Sequence, residues 1–138
     1  MKLISLRGAN TVAENTPEAI DQASLELMNQ LIQVNDLREN QVVSVVFSAT
    51  TDLDARYPSV ILRDVIGWRD TAILNLGEMR VEDQLPCCIR VLITLHTNES
   101  KERYRNIYLN GAAVLRPDWQ GDERKDPVSQ DWERINCK

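Results

Sequence analysis

The period of the apolar residues changes several times along the chain, and each change marks an element. Lys2 to Arg7 carries Leu3, Ile4 and Leu6 and predicts a strand that ends at Gly8-Ala9. Thr16-Pro17-Glu18 is a helix start, with a threonine N-cap, proline at the first helical position and an acid in the first turn. Ile20, Ala23, Leu27, Leu31 and Val34 follow at helical spacing, so this helix lays one face on a core and ends near Asn35. Gln41 to Ser48 holds Val42-Val43 and Val45-Val46-Phe47, a β-branched run that predicts a buried strand. Tyr57-Pro58 opens a second, shorter helix bearing Ile61, Leu62, Val65 and Ile66 and stopping at Gly67. Thr71 to Leu76 predicts a brief strand and Pro86 to Leu95 a longer one. Ile107 to Leu115 includes another strand, interrupted by Asn110-Gly111.

These elements predict an α+β fold: a mixed sheet of about five strands with helices on one face. Two helices cannot cover both faces, and the bare face must be buried. A homo-oligomer in which neighbouring sheets pack together is the expected solution, placing strand-borne residues near subunit interfaces. Past Pro117 the periodicity ends and charged residues dominate, leaving Trp119 and Trp132 as the bulky apolar side chains. One domain over residues 1–117 and a mobile charged tail over 118–138 are therefore expected.

Composition narrows the partners. The 138 residues carry 16 Lys+Arg against 21 Asp+Glu, a net charge of -5, with no basic run, which disfavours nucleic acid and anionic membranes. No apolar stretch approaches the ~20 residues of a membrane span, and Met1 to Arg7 is too short and too soon charged for a secretory signal, so a cytoplasmic protein is expected. Three cysteines, two of them adjacent, provide neither a disulfide framework nor metal-ligand spacing. The five glycines never cluster into a phosphate-binding loop.

Candidate chemistry is correspondingly narrow. The single histidine, His96, ends a strand, and Cys87-Cys88 reads as a buried small-hydrophobe pair. Arg90 is the anomaly, because Cys88-Ile89-Arg90-Val91-Leu92-Ile93 is apolar on both parities and a guanidinium cannot be neutralised. Arg7 and Arg116 stand at the ends of apolar segments, and Glu78 and Tyr108 lie in similar surroundings. Two readings fit: a core ion pair such as Arg90 with Glu78, or an anion site lined by several guanidiniums and one carboxylate. The second lacks a nucleophile and a tunable base, so its chemistry would be electrostatic and conformational.

Leu6-Arg7-Gly8-Ala9-Asn10-Thr11-Val12, Phe47-Ser48-Ala49-Thr50-Thr51-Asp52-Leu53, Glu78-Met79, Cys88-Ile89-Arg90-Val91, Tyr108-Leu109 and Val114-Leu115-Arg116-Pro117-Asp118 resemble the monofunctional trimeric chorismate mutases of the pseudo-α/β-barrel type. The resemblance runs from about residue 3 to 118. It implies a homotrimer with active sites between subunits and the Claisen rearrangement of the dianion chorismate to prephenate, toward phenylalanine and tyrosine, without cofactor or metal. It further implies that Arg90 donates to the ether oxygen and a carboxylate, Arg7 and Tyr108 hold the enolpyruvyl carboxylate, and Glu78 accepts from the ring hydroxyl. Arg63 and Arg116 would stand at the mouth, Tyr57 and Leu115 would form apolar wall, and Asn75 would contact substrate through its backbone. Asn75 stands where a cysteine is common in the family, and Val60 where a lysine is common. A non-catalytic carboxylate-binding trimer and an imine/enamine deaminase on a similar fold are the alternatives. A pericyclic step needs no proton transfer, which agrees with the residue inventory independently of the resemblance.

Overall fold

A computed structural model describes residues 1–115. The first strand, β1, spans Lys2–Thr11, and helix α1 spans Pro17–Asn35. Strands β2 (Val42–Ala49), β3 (Ala72–Gly77), β4 (Cys88–Thr97) and β5 (Ile107–Tyr108) complete one five-stranded sheet in the order β3-β2-β4-β1-β5. The sheet is mixed: β4 lies antiparallel to both β1 and β2, whereas β2 with β3 and β1 with β5 run parallel. The expected α+β mixed sheet is observed, and no helix among the described residues is long and apolar enough to cross a membrane.

β1 runs past the expected stop at Gly8-Ala9. Gly8 is a point of close approach: a Cβ there would sit 2.9 Å from Leu31 Cδ1, 3.1 Å from Leu27 Cδ1 and 3.1 Å from the Ile107 carbonyl oxygen. The missing side chain seats α1 on β1 and lets β5 pair beside it. α1 begins as its residues dictate, with Thr16 extended and its hydroxyl accepting from the Ala19 N–H at 3.1 Å, a cap worth about 1 kcal/mol. It ends at Asp36 in the left-handed conformation, whose N–H bonds the Ile32 carbonyl.

The second helix is reduced. Its regular part is one wide turn, Leu62–Ile66, closed by Gly67 at φ 91° with its N–H on the Leu62 carbonyl. After β5 the chain forms a 3-10 turn over Asn110–Val114 rather than a continued strand. Residues 116–138, including Arg116 and the expected tail, lie outside the described residues.

Alternation sorts the sheet into two faces. Ile4 and Leu6, Val45 and Phe47, and Ile89, Val91, Ile93 and Leu95 turn toward α1, where Ile20, Leu27, Met28 and Leu31 complete the core. On the opposite face a smaller cluster of Ala9, Leu85, Cys88, Tyr108, Ala112 and Ala113 covers only the β1-β5 end. The remainder of that face is open in the single chain, with Leu74, Leu76 and Leu92 exposed at 56%, 51% and 40%.

Candidate active site

Strand register brings the site together. On the open face, Leu76 neighbours Ser48, Ser48 neighbours Arg90, Arg90 neighbours Ala9, and Ala9 neighbours Tyr108. The next row up reads Leu74, Val46, Leu92 and Arg7. Arg90 therefore occupies the middle strand of the sheet, with small neighbours, Ser48 and Ala9, that leave room for its guanidinium. Arg7, Glu78 and Arg90 share a 180 Å³ cleft whose floor is Val46, Ser48 and Leu92.

The Arg90–Glu78 pair is loose. Arg90 Nε lies 3.7 Å from Glu78 Oε1, beyond hydrogen-bond reach, and Nε is buried without a hydrogen-bond partner. Glu78 Oε1 instead accepts from Ser48 Oγ at 2.5 Å, and the Glu78 N–H bonds the Ala49 carbonyl at 2.9 Å. The carboxylate is thus fixed by β2, one strand over, and faces Arg90 without consuming its donor. A static core ion pair would have closed that gap, because an unmet buried N–H costs about 1–3 kcal/mol. The geometry favours the second sequence reading, an anion site.

The remaining expected residues divide into two groups. Tyr108 is buried beside Ala9 in the smaller cluster, and Leu115 packs on its rim. The Arg7 N–H bonds Asn106 Oδ1 at 2.8 Å, which ties β1 to the segment entering β5. Tyr57, Val60 and Asn75 lie elsewhere, in a 560 Å³ groove against Leu76 and Gly77 at the β3 edge. Asn75 falls between Leu74 and Leu76, so its side chain takes the α1 side of the sheet, where Nδ2 donates to Ser59 Oγ at 2.8 Å and Oδ1 is buried without a partner. Arg63 is exposed on the wide turn. Within one chain, then, Arg7, Glu78 and Arg90 meet, and Tyr57, Asn75 and Arg63 do not join them. Arg116 lies outside the described residues.

The structure adds one residue whose part in the site the sequence reading missed. Ser48 holds Glu78, and only the β2-β4 register reveals that it stands beside Arg90. Cys88 is buried two residues before Arg90 on the same face. Burial pushes its thiol up to about 11, a rise opposed by the adjacent Arg90 charge. Such a thiol stays protonated and inert at neutral pH. His96 is exposed at the far end of β4, and its contact is a backbone one, the carbonyl accepting from Gln41 Nε2 at 3.2 Å.

A mixed sheet that gathers two guanidiniums and one carboxylate over a floor of Val46, Ser48 and Leu92 defines a class of site suited to holding a small carboxylate and acting on it by charge and shape. The family model for chorismate mutase type I matches residues 3–119, and the chain belongs to that family. It is 36% identical over 118 residues to chorismate mutase AroH of Bacillus subtilis, covering 86% of this chain and 93% of the relative. It is 39% identical over 114 residues to chorismate mutase AroH of Thermus thermophilus, covering 82% and 93%. A solved chorismate mutase from Clostridium thermocellum superposes with a TM-score of 0.78 at 37% identity, covering 81% of this chain and 99% of that one.

Proposed function

We propose that this protein is a chorismate mutase that rearranges chorismate to prephenate, with Arg90 as the central catalytic residue. The carrying observation is the buried Arg90 Nε, which makes no hydrogen bond although Glu78 lies 3.7 Å away. In a Claisen rearrangement the breaking C–O bond leaves negative charge on the ether oxygen. A fixed guanidinium binds that oxygen more tightly in the transition state than in the ground state. Arg7 and Tyr108 hold the enolpyruvyl carboxylate, and Glu78, anchored by Ser48, accepts from the ring hydroxyl. Holding both carboxylates in the compact diaxial conformer supplies the positional part of catalysis.

The separation of the site residues supports a trimer with sites between subunits. Tyr57, Asn75 and Arg63 cannot face Arg90 within their own chain, and the open sheet face with its exposed leucines needs a cover. In our reading the groove at one protomer's β3 edge closes over the Arg90 cleft of its neighbour, with Leu115 supplying apolar wall. The test is loss of chorismate absorbance with purified protein. We expect turnover without added metal or cofactor. Absence of turnover with retained carboxylate binding would overturn the reading in favour of a binding protein.

A further inference from the structure

Four non-glycine residues among the described ones adopt left-handed backbone: Asp36, Asp83, Asn110 and Cys87. Asp and Asn tolerate that region through their short polar side chains; cysteine does not share the tolerance. Cys87, at φ 52°, sits one residue before β4 and three before Arg90. Its conformation is held from outside. Both Asp52 carboxylate oxygens accept from the Cys87 N–H, at 3.0 and 3.3 Å, and Thr50 Oγ1 donates to Asp52 Oδ1 at 2.5 Å. The same Thr50 oxygen accepts from the Cys88 N–H at 2.9 Å, and the Thr50 N–H bonds the Cys88 carbonyl at 3.0 Å. On the other side the Cys87 carbonyl accepts from the Val12 N–H at 2.8 Å. The start of β4 is therefore clasped between the end of β2 and the end of β1, the strands that flank Arg90.

Ordinary strand alternation puts the two consecutive cysteines in separate clusters, Cys87 with the α1-facing core and Cys88 on the open face, both fully buried, and carries residue 90 to the same side as Cys88.

Building on the mutase reading above, we propose that Asp52 is a positioning residue for the rearrangement: by clamping Cys87 in the left-handed conformation it fixes the depth at which β4 presents the Arg90 guanidinium. Asp52 need not touch substrate. Glycine at position 87 would adopt the same backbone without a clamp, which separates positioning from simple bracing.

The experiment compares kcat, KM and Tm for the full-length wild type, Asp52→Ala, Cys87→Gly and the double variant. For Asp52→Ala, which removes both acceptors of the Cys87 N–H, we expect kcat to fall by about 10-fold or more with KM moving by less than about 3-fold, because a displacement near 1 Å can cost about 10²-fold in rate. Adding Cys87→Gly should restore kcat to within about 3-fold of wild type while Tm stays low, because the glycine leaves a gap in the core. A merely bracing aspartate would lower Tm and leave kcat of the folded enzyme unchanged. That result, or a depressed kcat that Cys87→Gly does not relieve, overturns the proposal with the mutase reading intact. A wild type without turnover overturns the mutase reading, and this proposal with it.

Discussion

Arg90 combines a permanent charge with an Nε that finds no acceptor within its own chain, and its value to catalysis should lie in the planar fork as much as in the charge. Arg90→Lys keeps the charge and loses the fork. We expect kcat to fall by about 10²-fold or more, measured by chorismate loss in enzyme shown by circular dichroism to be folded. An unchanged kcat would remove the ether-oxygen role. Two residues away, Cys88 yields a pH prediction of a different kind. Burial pushes its pKa up to about 11 from an ordinary value of 9.0, so the native state keeps a proton that the unfolded chain releases. The associated stability is fully present below pH 9 and is lost as pH rises from about 9 to about 11, on the order of 2–3 kcal/mol. Urea unfolding across that window should show the decline, and Cys88→Ala should flatten it. The rearrangement itself moves no proton, so the chemical step should be level between about pH 6 and 9.

At the scale of elements, Gly8 decides how closely α1 lies on the sheet. A methyl group there meets two fully buried leucine ends and the Ile107 carbonyl, all within 3.1 Å. Gly8→Ala should cost about 1–3 kcal/mol by overpacking, read as a lowered urea midpoint with an unchanged slope. The same residue shows where sequence reasoning stops. Within β1 a glycine signalled a strand end, because nothing in the local pattern says that two leucine side chains of α1 will press on it from elsewhere in the chain. The capped start of α1 was legible in Thr16-Pro17-Glu18, since the cap is a contact within four residues. The five strands were legible too, through apolar runs and their spacing. Arg90 announced itself as a charge in an apolar run, but Ser48 did not, because a serine in a strand acquires meaning only through the register that sets it beside Arg90. Asn75 entered through the family resemblance. Alternation within Leu74-Asn75-Leu76 already placed it on the opposite side of the sheet from its leucine neighbours, a conflict that the proposed contribution of a second chain would resolve.

For the molecule as a whole, the open sheet face is the surface that the proposed assembly would cover. Leu74, Leu76 and Leu92 lie within three neighbouring strands, exposed together and continuous with the Arg90 cleft. Removing such a patch from water contributes about 25 cal/mol for each Å² covered, and the cover we propose also delivers the second half of the site. Assembly and activity should therefore be lost together. Leu74→Asp places a charge on the patch three strands away from Arg7 and outside the Arg90 row. Native mass spectrometry should give three chains for the wild type and a shift toward single chains for the variant, with turnover per chain falling in step as the protein is diluted. The variant should keep its helical circular dichroism signal, because position 74 points away from the α1 core. A wild type that is monomeric and fully active would show that one chain holds a complete site, and the division between the Arg90 cleft and the Tyr57 groove would then need another explanation.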